Sequence, residues 1–153
     1  MKTSIILTRQ RLINLIIVFL ITGLWDIILR NMSEGNFSFF GIENMKWVTT
    51  LREYFKHHTI LGAALIAAFV GAIAYIIIIY TFELFDVNNV YLQLVLIFLI
   101  SGLVGIPMRY SGLFPLLDKY YYRPLGFTYS FITDSMSGIV VAITLFFVEK
   151  FIN

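Results

Sequence analysis

The chain has 153 residues, of which 59% are hydrophobic and 13% charged, with a mean hydropathy of +0.88. Soluble domains carry about 25% charged residues and roughly 45–50% apolar ones, so both departures point to a membrane-embedded protein. A formal charge of +2 without a basic run is too small to imply a nucleic-acid partner, and none is expected; zero cysteines exclude thiolate metal sites, disulfides and thiol redox relays.

A bilayer core of about 30 Å needs roughly 20 apolar residues in a helix. The first candidate span is "LINLIIVFLITGLWDIIL", residues 12–29. Lys2, Arg9 and Arg11 ahead of it also suit a signal peptide. The length of the run and the lack of a small-x-small cleavage site after it favour a retained span. Asp26 lies near its far end, and Asn14, Val18, Thr22 and Arg30 share its face at i,i+4 spacing.

Residues 30–59 form the longest loop. Within 43–58, Trp47, Val48, Leu51, Tyr54 and Phe55 recur at helical spacing, with Lys46, Arg52, Glu53 and Lys56 elsewhere around the helix. This predicts a short amphipathic helix in the headgroup region with Trp47 and Tyr54 in the aromatic belt, or one packed on the end of the bundle. His57 and His58 are adjacent, and no third ligand stands at metal-site spacing, so no metal or cofactor is expected.

The second span, 60–80, carries two small-residue ridges: Ala64, Ala68 and Ala72, and Ala63, Ala67 and Gly71. Such ridges let helix backbones approach closely in lipid. Packing within the chain is the favoured use, and homo-oligomerisation the alternative. The short connection 81–89, with Glu83 and Asp86 as solvated turn residues, makes the third span, 90–107, an antiparallel neighbour. Pro107 after Gly102 and Gly105 predicts a kink or stop.

Arg109 follows, and then a turn-rich stretch punctuated by Pro115 and Pro124. Tyr120, Tyr121 and Tyr122 suit the water–lipid boundary, flanked by Lys119 and Arg123, which reach phosphate groups. The fourth span, 129–148, carries Asp134, with Ser130, Ser137 and Gly138 on its face. Ser135 and Ser137 have no histidine nearby in sequence, so a hydrolase triad has no support.

The fold class is therefore all-α, a polytopic bundle of four membrane-spanning helices with an interfacial helix in the first loop, forming one integral membrane domain over 1–153. Seven Lys/Arg residues fall on the side of loops 30–59 and 109–128, and four on the side of the termini. The positive-inside rule and the basic flank of the first helix then favour opposite orientations. Sequons at Asn31 and Asn36 lie in the first loop.

An ionisable residue within a span costs about 2.5–3.5 kcal/mol on insertion scales and faces protein or water. Alternating topology brings Asp26, Arg109 and Asp134 to one leaflet from three different helices. They are read first as a structural ion-pair network, and second as a proton- or ion-coupled site. The corresponding functions, in order, are three. The first is a non-enzymatic structural or accessory component of a membrane assembly. The second is a small oligomeric transporter or channel using the Asp/Arg cluster. The third is a lipid-binding or lipid-modifying protein. The lipid bilayer is the expected partner, with a homo-oligomer or a larger membrane complex beyond it.

Overall fold

In the computed structural model the described residues are 9–152, apart from 37, 39, 42 and 43. They form seven α-helices: α1 (Arg9–Ser33), α2 (Lys46–Lys56), α3 (Ile60–Leu84), α4 (Val90–Leu103), α5 (Gly105–Tyr110), α6 (Pro115–Leu117) and α7 (Arg123–Ile152). A π-helical turn, Asp118–Tyr122, joins α6 to α7. No strand occurs among the described residues. Four segments are long and apolar enough to cross a membrane: α1, α3, α4 continued by α5, and α6 continued through the π turn into α7.

Local chemistry sets the ends of these helices. The Thr59 hydroxyl caps α3 by accepting from the Gly62 N–H at 3.0 Å. The Asn89 carbonyl oxygen caps α4, accepting from the N–H groups of Tyr91 at 2.9 Å and Leu92 at 3.3 Å. Pro107 has no N–H to give the carbonyl of Leu103, and the helix breaks between α4 and α5 at Val104. Gly126, at φ 79° and ψ 170°, interrupts α7 in a conformation that L side chains rarely adopt. The long apolar part of the fourth segment therefore starts at Phe127.

Two close helix pairs make the bundle. In the first, α1 lies along α3, where a Cβ on Gly23 would stand 3.5 Å from the Ala64 carbonyl and 3.8 Å from the Ala68 methyl, while Gly71 sits against Thr22. In the second, α4 lies along α7, with Gly102 against Ser135 and Phe131, and Gly138 against Ser101. Lipid tails are as apolar as leucine, so helix association here rests on close packing. The ridges of α3 are thus used within the chain.

The outer surface is a set of apolar stripes. Leu12, Ile16, Leu20, Leu24 and Ile28 are exposed along one line of α1, and Leu61, Leu65, Phe69, Ile73 and Ile77 along one line of α3. Both lines follow i,i+4 spacing, and Phe69 on the second also meets the Phe19 ring of α1 edge-on, with ring centroids 5.4 Å apart. An apolar surface this continuous fits a hydrocarbon solvent.

A packed core closes the end formed by the last turn of α1, α2, α5 and the π turn; it is called here the capped end. Leu29, Leu51, Tyr54, Phe55, Met108 and Tyr121 are among its buried members. α2 turns Val48, Leu51, Tyr54 and Phe55 into the bundle, so the amphipathic helix read over 43–58 spans Lys46–Lys56 and buries its apolar face against protein. Arg52 Nε donates to the Ser33 carbonyl at 2.6 Å, and Arg30 Nη1 to the His58 carbonyl at 3.0 Å, tying α2 and the turn after it to the end of α1.

Candidate functional site

Between the two helix pairs lies a cavity of about 410 Å³, partly open to its surroundings. Every spanning segment contributes to its wall. Asp26, Trp47, Tyr122 and Asp134 line it towards the capped end, and Phe82, Gln93 and Glu149 line it towards the opposite end. The carboxyls of Asp26, Asp134 and Glu149 all border it, and no Lys, Arg or His does among the described residues.

Asp134 is held by the loop that precedes it. The π turn carries Tyr121 and Tyr122 inward, 6% and 4% exposed. The Tyr121 hydroxyl donates to Asp134 Oδ1 at 3.1 Å and shares a 2.6 Å hydrogen bond with the Thr133 hydroxyl; the Tyr122 hydroxyl donates to Asp134 Oδ2 at 3.0 Å. A Cβ at Gly105 would stand 2.9 Å from Asp134 Oδ2 and 3.1 Å from the Tyr122 ring. Glycine at the start of α5 is what lets the carboxyl and the phenol reach this position.

Asp26 occupies the facing pair. It forms no ion pair or hydrogen bond among the described residues, and its side of α1 opens on the cavity. Arg30, one turn further on, attracts it but is engaged elsewhere, with Nε on Glu34 Oε1 at 3.2 Å and Nη1 on the His58 carbonyl. Tyr54 stands near it on α2. Burial, reinforced by the Asp26 charge, pushes the Tyr54 phenol well above its ordinary range, so it faces the cavity as a neutral hydroxyl. Beside these groups the Trp25 indole N–H donates to the Ser137 hydroxyl at 3.3 Å, the one side-chain hydrogen bond between the two helix pairs among the described residues.

Of the three residues that the alternation of spans assigns to one leaflet, Asp26 and Asp134 share the cavity and Arg109 does not. Arg109 Nε lies 3.6 Å from Asp118 Oδ1, and Arg123 Nε 3.0 Å from Asp118 Oδ2. Asp118 is thus clamped between two guanidinium groups on the outer side of the tyrosines.

The residues assigned to the headgroup boundary divide in the same way. Lys119 and Arg123 are exposed at the capped end, and Tyr120 stacks on His57 with ring centroids 4.1 Å apart. Tyr121 and Tyr122 instead point into the protein, because Asp134 offers their hydroxyls a partner there. Trp47 lines the cavity, and its indole N–H donates to Met45 Sδ at 3.4 Å.

Sequence reasoning missed Asp118 as the partner of Arg109, and Trp25, Tyr75 and Glu149 as cavity residues. Trp25 stands three residues after Thr22, at a spacing that shares a helix face, so the polar stripe of α1 held a signal for it. Glu149 reads in sequence as the ordinary end of a span. At that end Arg11 and Glu83 form an ion pair, and Tyr75 stands beside Asn14 and Glu149. No group of three or more His, Asp or Glu residues able to hold a metal ion occurs among the described residues. No protein family, curated protein or solved structure matches this chain.

Proposed function

We propose that this chain is an integral membrane protein that binds a small solute between its two helix pairs and moves it across the bilayer. The observation that carries the reading is the cavity of about 410 Å³ bordered by Asp26, Asp134 and Glu149. Its volume lies in the range of about 300–1,000 Å³ typical of small-molecule sites. Intramembrane carboxyls are costly, and carboxyls bordering a cavity are the usual mark of a substrate or ion path.

The accessory role favoured by composition alone gives no reason for a bundle to keep acidic groups around an internal space. A purely structural network would pair Asp26 and Asp134 with Arg109, and Arg109 is engaged by Asp118. Thin contact between the helix pairs also suits movement of one pair against the other, as alternating access requires.

The test is transport by the full chain in proteoliposomes, offered three dyes of similar size: one cationic, one neutral and one anionic. Protein-dependent, saturable uptake of one class, lost in Asp134→Asn while the variant stays folded, is the expected result. No uptake of any dye, together with co-purification of a stoichiometric membrane partner, would return the protein to the accessory class.

A further inference from the structure

Resting on the solute-binding reading, we infer that the cavity selects organic cations with apolar or aromatic flanks. Three features of the wall converge on this class. The first is charge. Three carboxyls border the cavity without a basic side chain among the described residues, so a cation finds acidic partners at both ends and an anion finds no cationic group in the wall.

The second is the aromatic lining. Trp25, Trp47, Tyr54, Tyr75, Tyr122 and Phe146 contribute to the wall, and the faces of such rings attract a cation that has shed its water. The third is coordination. A compact divalent ion demands six or more oxygen ligands at about 2.0–2.6 Å. Here the acidic groups are spread along the cavity, and none of them joins a metal-holding cluster among the described residues. A bulky cation with delocalised or shielded charge needs no such cage. It is satisfied by a carboxylate at a few ångströms and apolar contacts elsewhere.

Asp26 is the counter-ion best placed for this task. Asp134 has two phenol donors already, whereas Asp26 has no hydrogen-bond or ion-pair partner among the described residues and faces Asp134's helix across the space. Asp26 thus supplies the binding charge, and the tyrosine-held Asp134 a fixed second pole.

The experiment is equilibrium binding to the purified full chain in detergent, read by fluorescence anisotropy. The probes are ethidium, a flat organic cation, and 1-anilinonaphthalene-8-sulfonate, an anion of comparable size. Saturable ethidium binding that weakens by about tenfold or more in Asp26→Asn is expected, since removing one member of a desolvated charge pair acts chiefly on dissociation. Glu149→Gln, at the other end of the cavity, is the second variant should Asp26→Asn fail to elute as folded protein.

Saturable sulfonate binding without ethidium binding overturns the cation assignment and leaves the solute-binding reading standing. Ethidium binding unchanged in both variants also overturns the assignment, because the probe would then be in the detergent or on the surface. Binding of neither probe, with no uptake in proteoliposomes, overturns both.

Discussion

Asp134 and Asp118 lie a few turns apart and are stabilised by opposite means. Asp118 sits between two arginines, and Asp134 between two phenols. A phenol gives a carboxyl oxygen a directed hydrogen bond without neutralising its charge, so Asp134 remains a group that a solute can address. Tyr122→Phe removes the donor to Oδ2 and leaves a buried acceptor unsatisfied, which costs about 1–3 kcal/mol. A chemical or thermal melt of the purified variant is expected to show that loss. Tyr121→Phe is expected to cost less, because the Thr133 hydroxyl next to it remains as a hydrogen-bonding group. At this scale the sequence was half legible. Alternating topology was enough to bring Asp26, Arg109 and Asp134 towards the same end of the bundle. Which carboxyl the arginine chooses depends on how α5 and the π turn fold back on one another, and no residue spacing encodes that.

At the scale of the helices, tightness varies from glycine to glycine along the seams, and Gly71 against Thr22 is as close as Gly102 against Ser135. A Cβ on Gly102 would stand 2.7 Å from two carbons of the Phe131 ring and closer still to the Ser135 hydroxyl, whereas the nearest atom to a Cβ on Gly23 is a carbonyl at 3.5 Å. Gly102→Ala is therefore expected to lose about 1–3 kcal/mol, the usual cost of overpacking. Gly23→Ala is expected to be neutral or to gain up to about 1 kcal/mol from the higher helix propensity of alanine. Paired thermal melts of the two variants check this. The alanine ridges of α3 were visible in the sequence because their period is that of the helix. Their docking against Gly23 and Thr22 was not, since a lone glycine in an apolar run looks the same whether it meets a neighbour or lipid. The break at Gly126 was hidden for a related reason. Apolar residues continue on both sides of it, and only the backbone angle separates the capping segment from the long helix.

For the whole molecule, the four apolar runs and the polar capped end follow from composition and period alone, because a 30 Å hydrocarbon layer leaves a helix few other solutions. The cavity does not follow from them. It arises because α1 with α3, and α4 with α7, close on small residues, while Trp25 and Tyr75 of the first pair and Phe146 of the second line the space left between them. The chain contains no cysteine, so single cysteines can report on this space without background. The most direct measurement is the reactivity of Ala74→Cys, Ser137→Cys and Ala142→Cys, which border the cavity, against Leu20→Cys and Phe69→Cys, which lie on the outer stripes. Each variant would be treated in proteoliposomes with a membrane-impermeant cationic thiol reagent. The account predicts labelling of the three cavity positions and none of the two outer ones. Equal silence at all five positions, or labelling of the outer pair alone, would contradict an accessible cavity bordered by acidic residues between the two helix pairs.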